Sequence, residues 1–272
     1  MNPPGPRLAR AQLLRELGLP VLWRLREQPS CARPESPAET LPPASARPAV
    51  VELVVASSAV PAVLPTDREN EIARLGWDEL PVSVAACRAC GLCAQRRQAV
   101  LGVGDVAADW LFIGEGPGAE EDARGEPFVG PAGQLLDAML AAIDLKRGED
   151  VYIANAVKCR PPGNRTPEAA EMAACAPYLR RQIALLQPRL IVLLGRAAAH
   201  AVLGESGSLA SLRGKPLAHA GIPVVVTYHP AYLLRTLPDK AKAWEDLCRA
   251  RALMRTAKAS AVGQDGGRRV GD

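Results

Sequence analysis

Short apolar runs alternate with longer amphipathic segments from about residue 80 onward, and this alternation constrains the fold more than any other feature. The strand candidates are 110–113, 151–154, 190–194 and 224–228, and the helix candidates are 132–145, 168–187, 196–203 and 240–257. Strands separated by helical segments predict a parallel sheet with helices on its faces. We therefore expect an α/β fold built on a mostly parallel, four-stranded sheet.

Each predicted strand ends at a polar or glycine-rich loop. The first ends in GEGPG, and the others end at Asn155, Gly195 and His229. In open α/β sheets, ligands bind beyond the carboxyl ends of the strands. These four loops are therefore expected to converge on one crevice.

The two ends of the chain differ in composition from this central part. Residues 1–27 predict a short amphipathic helix, interrupted at Pro20. Residues 28–80, which begin with a run rich in Pro, Ala and Ser, predict an extended linker. We expect the folded domain to span 81–257 and the tail, 258–272, to be disordered.

Composition excludes some classes of protein. No stretch approaches the roughly 20 apolar residues of a membrane-spanning helix, and the N-terminus lacks the apolar core of a secretory signal. A cytoplasmic location is therefore expected. Seven cysteines, an odd number, favour metal ligation over a disulfide framework. The net charge of +4 permits contact with an acidic polymer without requiring it.

Four cysteines are grouped in a way that indicates a metal site. Cys87 and Cys90 belong to the run CRAC, and Cys159 and Cys175 follow far downstream. Thiolates at such spacing hold zinc or a [4Fe-4S] cluster, and the spacing leaves both open. Cys93 adds a third thiol beside the first pair.

Several residues of the strand-end loops could form a ligand pocket. Glu121, in the acidic run after GEGPG, could complement a helix dipole or activate water. Phe128, in a loop bounded by Pro and Gly, could cover the core or stack a nucleobase. Asn155 offers a donor and an acceptor suited to the edge of a pyrimidine. His229 precedes Pro230 at a strand end, where a functional role is favoured over a structural one.

Six blocks occur in a characteristic order. They are CRAC, GEGPGAEEDARGEPFVGPAGQLLD, YIANAVKCRPPGNRTP, Cys175, LIVLLGRAAAHAVLG and HPAYLLR. Together, over about residues 81–256, they resemble a family 4 uracil-DNA glycosylase. The resemblance implies a three-layer α/β/α fold, a [4Fe-4S] cluster, and removal of uracil from DNA, which leaves an abasic site in base excision repair. We expect a monofunctional enzyme that acts as a monomer.

The resemblance also implies roles for individual residues. The cluster ligands would be Cys87, Cys90, Cys159 and Cys175. In the pocket, Glu121 would position or activate water, Phe128 would stack uracil, Asn155 would bind the edge of the base, and His229 would bind its carbonyl, while the backbone at Glu115 and Gly116 would form the wall. The residues that enter or brace the DNA would be Leu233, Leu234 and Arg235. Arg160 and Arg165 could meet phosphates. The lysine in these blocks does not indicate a mechanism that proceeds through a Schiff base, so a monofunctional glycosylase is expected.

Other interpretations are also open. The chain could be a non-catalytic iron-sulfur or zinc DNA-binding module, or a metal-dependent nuclease or nucleotide hydrolase that holds magnesium with Glu120, Glu121 and Asp122. The N-terminal run Gln12-Leu13-Leu14-Arg15-Glu16-Leu17 is similar to short motifs that dock on replication clamps, although an ordinary helix explains it more simply.

Overall fold

The computed structural model describes residues 66–204 and 207–266. The strands are β1 (Val103–Gly104), β2 (Trp110–Gly114), β3 (Val151–Asn155), β4 (Leu190–Leu194), β5 (Leu217–His219) and β6 (Ile222–Thr227). The α-helices are α1 (Asp67–Ile72), α2 (Leu80–Ala86), α3 (Ala119–Arg124), α4 (Pro131–Ala141), α5 (Ala169–Leu186), α6 (Arg196–Leu203), α7 (Leu209–Leu212), α8 (Pro230–Leu233) and α9 (Lys240–Gly266). Short 3-10 turns lie at Gly91–Ala94, Pro162–Asn164 and Leu237–Asp239. None of the helices described is long and apolar enough to cross a membrane.

The strands form one sheet in the order β1-β3-β2-β4-β6-β5. The four predicted strands are its parallel centre, with β2 between β3 and β4, and β4 next to β6. The antiparallel edge strands β1 and β5 were not predicted. They contain two and three residues and are only partly buried, so they lack the apolar run that marks the central strands.

Helices cover both faces of the sheet, which gives the three layers that the resemblance implies. On one face Phe112, Val192 and Val225 pack against α4 and α9. On the other face their neighbours Ile113 and Leu193 pack against α5 and α6. Because successive strand residues point to opposite faces, a strand buried on both sides is apolar throughout. This explains why the central strands are recognisable as continuous apolar runs.

The structure differs from two of the predicted segment boundaries. Helix α1 lies inside the range expected to be linker, where Thr66 caps its first turn and Ile72 is buried against Leu80 and Val84. Helix α9 continues to Gly266, past the expected end of the domain at 257. Helix α1 and the end of helix α9 were not predicted from the sequence, because both segments are polar and contribute few apolar residues to the pattern. The helix predicted over 1–27 and the clamp-like run lie outside the described residues.

Candidate active site and thiol chamber

A pocket of about 490 Å³ opens at the carboxyl edge of the sheet, where β2, β3 and β6 end. This volume is typical of small-molecule sites. The structure brings the sequence-predicted residues Glu115, Gly116, Glu121, Phe128, Asn155, Arg165, His229 and Arg235 to its wall. Gly195 lies behind His229, outside the lining. The lining also includes Pro117, Gly118, Ala132, Pro161, Asn164, Thr166, Pro167, Ala231 and Tyr232.

Asn155 ends β3 with its side chain in the pocket. The residue is 2 % exposed, and its Oδ1 is buried with no hydrogen-bond partner among the described residues. A buried acceptor without a partner costs about 1–3 kcal/mol, so this atom is suited to an N–H that a ligand supplies. Gly114 on β2 makes the space for it, because a Cβ there would lie 2.5 Å from Asn155 Oδ1 and 2.5 Å from the Phe128 ring.

Phe128 is held in a strained backbone conformation beside His229. Its φ of 55° lies in the left-handed region, which is unusual for a bulky residue. The two rings are 5.5 Å apart between centroids, with a 30° angle between planes. Arg147 fixes the loop by donating to the carbonyls of Pro127 and Phe128, at 2.9 and 2.8 Å. Sequence reasoning missed Arg147, because it lies in a polar turn without any periodic signal.

Glu121 is occupied by backbone hydrogen bonds. One carboxylate oxygen accepts from the N–H of Gly118 at 3.1 Å, and the other accepts from Val129 and Gly130 at 2.9 and 3.1 Å. Glu121 therefore ties the start of α3 to the Phe128 loop. This geometry supports the helix-terminal role, which the sequence left open, over the activation of water.

The remaining acidic residues do not form a magnesium site with Glu121. Asp122 is 2 % exposed, and its carboxylate accepts from the backbone N–H groups of Arg97 and Gln98 at 2.9 and 3.4 Å. Glu120 is exposed to solvent. Glu115 is different, because its side chain is partly exposed at the pocket wall and has no hydrogen-bond or ion-pair partner among the described residues. The free carboxylate of the pocket is therefore that of Glu115.

His229 presents a neutral imidazole to the pocket. Its Nδ1 accepts from the backbone N–H of Ala231 at 3.2 Å, so the proton of the neutral ring is on Nε2. The pKa of His229 is lowered to about 4, mainly by burial and also by the nearby Arg235, whereas Glu121 opposes the shift. The ring is therefore a hydrogen-bond donor, not a cation, at neutral pH.

The predicted DNA-contacting residues are not equivalent in the structure. Leu233 is 1 % exposed and packs in the core, so its assignment to DNA contact is corrected. Leu234 is exposed, and Leu237, which was not predicted, is the more exposed of the two at 60 %. Arg235 lies at the pocket wall with its side chain in solvent.

The two arginines proposed to meet phosphates already have partners. Arg165 makes two hydrogen bonds with the Glu171 carboxylate, at 2.8 and 2.7 Å. Arg160, outside the pocket wall, donates to Asn164 Oδ1 at 2.7 Å. The pairing with Glu171 neutralises Arg165, which leaves Arg235 as the arginine of the pocket wall without such a partner among the described residues.

Five cysteines line a second, smaller cavity, which we call the thiol chamber. Its lining includes Cys87, Cys90, Cys93, Cys159 and Cys175. All five are free thiols. Among the described residues, no three His, Cys, Asp or Glu side chains are positioned to share one metal ion. The geometry alone therefore does not choose between zinc and a cluster.

Hydrogen-bond donors surround the sulfur atoms of the chamber. Arg96 donates to Cys159 Sγ at 2.9 Å, Arg68 donates to Cys87 Sγ at 3.5 Å, and the backbone N–H of Lys158 donates to Cys175 Sγ at 3.3 Å. Burial raises the pKa of the Cys175 thiol to about 11, against the opposing effect of Lys158. A set of partly buried thiols with donors aimed at sulfur fits a metal-thiolate group, because bound metal keeps such thiols deprotonated.

Comparison with known proteins agrees with the fold. The model of the Uracil DNA glycosylase superfamily matches residues 101–248. A type-4 uracil-DNA glycosylase of Thermotoga maritima is 43% identical over 176 residues, which cover 63% of this chain and 91% of the relative. A type-4 uracil-DNA glycosylase of Pyrobaculum aerophilum is 43% identical over 169 residues, covering 59% and 86%.

A different branch of the superfamily is less similar. A type-5 uracil-DNA glycosylase of Pyrobaculum aerophilum is 34% identical over 146 residues, which cover 48% of this chain and 64% of the relative. The higher identity and the wider coverage both favour type 4, and they confirm the resemblance drawn from the six blocks. This chain belongs to the uracil-DNA glycosylase superfamily and, within it, to the type-4 family.

Proposed function

We propose that this protein excises uracil from DNA by hydrolysing the N-glycosidic bond, which leaves an abasic site for base excision repair. The observation that carries the proposal is the unpaired Oδ1 of Asn155, buried in the pocket. Uracil carries a proton on N3 that can satisfy this acceptor, whereas N3 of cytosine carries none. All of the pocket groups come from one chain, so a monomer suffices.

The base must leave the stack before it reaches this pocket. Extrusion costs a few kcal/mol, least for mispaired or single-stranded bases. Phe128 would stack the extruded uracil, and such stacking contributes about 1–3 kcal/mol per base. Because Arg147 and Glu121 hold the Phe128 loop before DNA arrives, little ordering is required when uracil binds.

Bond cleavage leaves negative charge on the departing uracil. The Nε2–H of neutral His229 would donate to the uracil carbonyl on which this charge develops. A fixed donor at such a position stabilises the transition state more than the ground state. A neutral imidazole can donate this hydrogen bond without giving up a proton.

The sugar left behind resembles an oxocarbenium ion and is attacked by water. We assign the orientation of that water to Glu115, whose carboxylate is free at the pocket wall, and we assign Glu121 to hold the loop that carries Phe128. The buried Lys158 lines the thiol chamber instead of the pocket. Among the described residues that line the base pocket there is no lysine to form a Schiff base, and we propose a monofunctional enzyme on this ground.

The residues that would hold a [4Fe-4S] cluster are Cys87, Cys90, Cys159 and Cys175. When bound, the cluster supplies iron-sulfur bonds that cross-link the segment after α2, the loop after β3 and helix α5. Cys159 lies four residues after Asn155, so this cross-link braces one wall of the base pocket. Arg235 and the exposed Leu234 and Leu237 would contact the DNA around the extruded nucleotide.

The test is release of free uracil by the purified, iron-loaded protein from single-stranded and duplex DNA that contains one uracil. We expect free uracil and an alkali-labile abasic site, without strand cleavage in the absence of alkali. Binding to uracil-containing DNA with no uracil release on either substrate would contradict the proposal and favour a non-catalytic binding module. Magnesium-dependent strand cleavage would contradict it in favour of a nuclease.

A further inference from the structure

Lys158 is an unusual residue in this core, because its amino group is fully buried without a carboxylate partner. The side chain is 1 % exposed, and Nζ donates to the backbone carbonyl of Asn155 at 2.8 Å and to Gln182 Oε1 at 2.5 Å. None of the ion pairs among the described residues includes it. A buried ammonium without a counter-charge is strongly unfavourable.

The Lys158 residue also contacts the thiol chamber. Lys158 lines that chamber, interacts electrostatically with Cys175, and donates its backbone N–H to the same sulfur. If the cysteines hold a metal-thiolate group, its thiolates would carry net negative charge close to this ammonium. The Lys158 side chain lies between the chamber and Asn155, and its hydrogen bonds go to Asn155 and Gln182.

Asn155 connects this ammonium to the base pocket. Its carbonyl oxygen accepts from Lys158, while its carboxamide faces the pocket with an unpaired Oδ1. The following residues, Ala156 and Val157, are anchored to the carbonyls of Gly114 and Glu115, at 2.9 and 3.1 Å. Gln182 extends the network by donating to Tyr152 Oη at 3.2 Å and to the carbonyl of Leu101 at 3.0 Å. The bend after β3 is thus held from both sides, and Lys158 is the contact that joins it to the chamber.

We propose that Lys158 is a positioning residue that fixes Asn155 for uracil recognition through the hydrogen bond from its Nζ to the Asn155 carbonyl. This inference rests on the proposed function. Lys158 touches neither the base nor the reacting bond; it acts through the Asn155 carbonyl.

The test compares iron-loaded wild-type protein with Lys158→Met, which keeps the length of the side chain and removes its charge, and with Lys215→Met as an exposed control. The readouts are affinity for free uracil, affinity for undamaged DNA, KM and kcat for uracil release, iron per chain, and visible absorbance. We expect Lys158→Met to bind uracil about tenfold more weakly, with KM raised more than kcat is lowered. Its iron content, absorbance and affinity for undamaged DNA should match those of the wild type, and Lys215→Met should match it throughout.

Two outcomes with Lys158→Met would overturn the inference. If Lys158→Met binds and releases uracil like the wild type, Lys158 positions nothing. If iron, affinity for undamaged DNA and affinity for uracil fall together, Lys158 is only a structural residue. If Lys158→Met does not fold, Gln182→Leu is used instead. Gln182→Leu should also weaken uracil binding, by a smaller factor than is expected for Lys158→Met. Unchanged uracil binding by Gln182→Leu would refute the proposal. Absence of uracil release by the wild type would contradict the proposed function instead.

Discussion

Single residues in the pocket derive their roles from hydrogen-bond partners that lie elsewhere in the chain. Glu115 and Glu121 are both acids that follow β2, yet three backbone N–H groups occupy the Glu121 carboxylate, while the Glu115 carboxylate has no partner among the described residues. Similarly, the Ala231 N–H selects the tautomer of His229. The chemistry of each residue therefore depends on which of its atoms remain free.

The two acids should respond differently to substitution. Glu115→Gln is expected to lower kcat about 10²-fold or more with unchanged thermal stability, because it removes a carboxylate that orients water. Glu121→Ala should lower the free energy of unfolding by about 1–3 kcal/mol, because it leaves buried N–H groups without an acceptor. Steady-state uracil release and thermal unfolding measure both effects. The control is Glu126→Gln, which changes an exposed acid in the loop between α3 and Phe128. Wild-type kcat in Glu115→Gln would refute the assignment of Glu115 to water orientation.

The lowered pKa of His229 predicts a pH dependence. With a pKa of about 4, the imidazole should remain neutral from about pH 5 to 8, so this group should cause no loss of kcat in that range. An unfolded histidine titrates near pH 6.5, so the unfolded state binds more protons between the two values. The contribution to stability is full above about pH 6.5 and is lost as pH falls toward 4.

Unfolding experiments at several pH values test whether His229 lowers the stability as the pH falls. Relative to His229→Gln, the wild type should lose stability on acidification through that window, while the difference between them stays constant above neutral pH. His219→Gln, on the edge strand β5, should keep the wild-type profile. A wild-type profile that parallels His229→Gln throughout would contradict the lowered pKa.

At the scale of elements, the thiol chamber joins segments that are distant in sequence. The segment after α2 provides Cys87 and Cys90, the loop after β3 provides Cys159, and α5 provides Cys175. Cys159 and Cys175 each interact electrostatically with Cys87, whereas Cys93 adjoins Arg96. All five thiols line the chamber, and we propose that the first four are the ligands and that Cys93 is their neighbour.

Cysteine substitutions should distinguish the proposed cluster ligands from Cys93. Cys87→Ser and Cys175→Ser should each lose bound iron and visible absorbance, because a cluster requires four thiolates. Cys93→Ser should keep both and change the free energy of unfolding by about 0.5 kcal/mol or less, as an ordinary surface change would. Iron analysis and absorbance spectra measure this, with the exposed Cys248→Ser as control. Loss of iron from Cys93→Ser would make Cys93 a ligand.

At the scale of the whole molecule, the folded part extends beyond the region matched by the superfamily model, which begins at residue 101. Helix α1 packs Ile72 into a small core with Tyr178, and its Arg68 bonds to the Ala174 carbonyl and to Cys87. Both arginine contacts lie beside the thiol chamber. The helix is therefore a brace of the chamber, although it precedes the six blocks.

Truncation tests this boundary. A protein that begins at Thr66 should release uracil and bind iron like the full chain. One that begins at Leu80 should lose about 2 kcal/mol or more of stability and retain less iron, because it lacks the buried Ile72 and the Arg68 contacts. Thermal unfolding and iron content are the measurements. Equal stability of the two shortened proteins would refute a bracing role for α1.

The sequence by itself determined the four central strands of the sheet and eight of the residues at the pocket wall. Apolar runs and amphipathic periodicity mark the central strands and their helices, and the parallel order places GEGPG, Asn155 and His229 at one edge. The short edge strands, α1 and the end of α9 were not predicted, because they carry too few apolar residues to show a pattern.

Only the tertiary structure decided which of these residues are available for chemistry. Glu121 is bound by Val129 and Gly130, Leu233 is buried against the core, and Lys158 bridges Asn155 and the thiol chamber. Burial and hydrogen bonding depend on groups that the fold brings together across many residues. Local sequence specifies which donors and acceptors a residue carries, whereas the fold determines which of them are already paired.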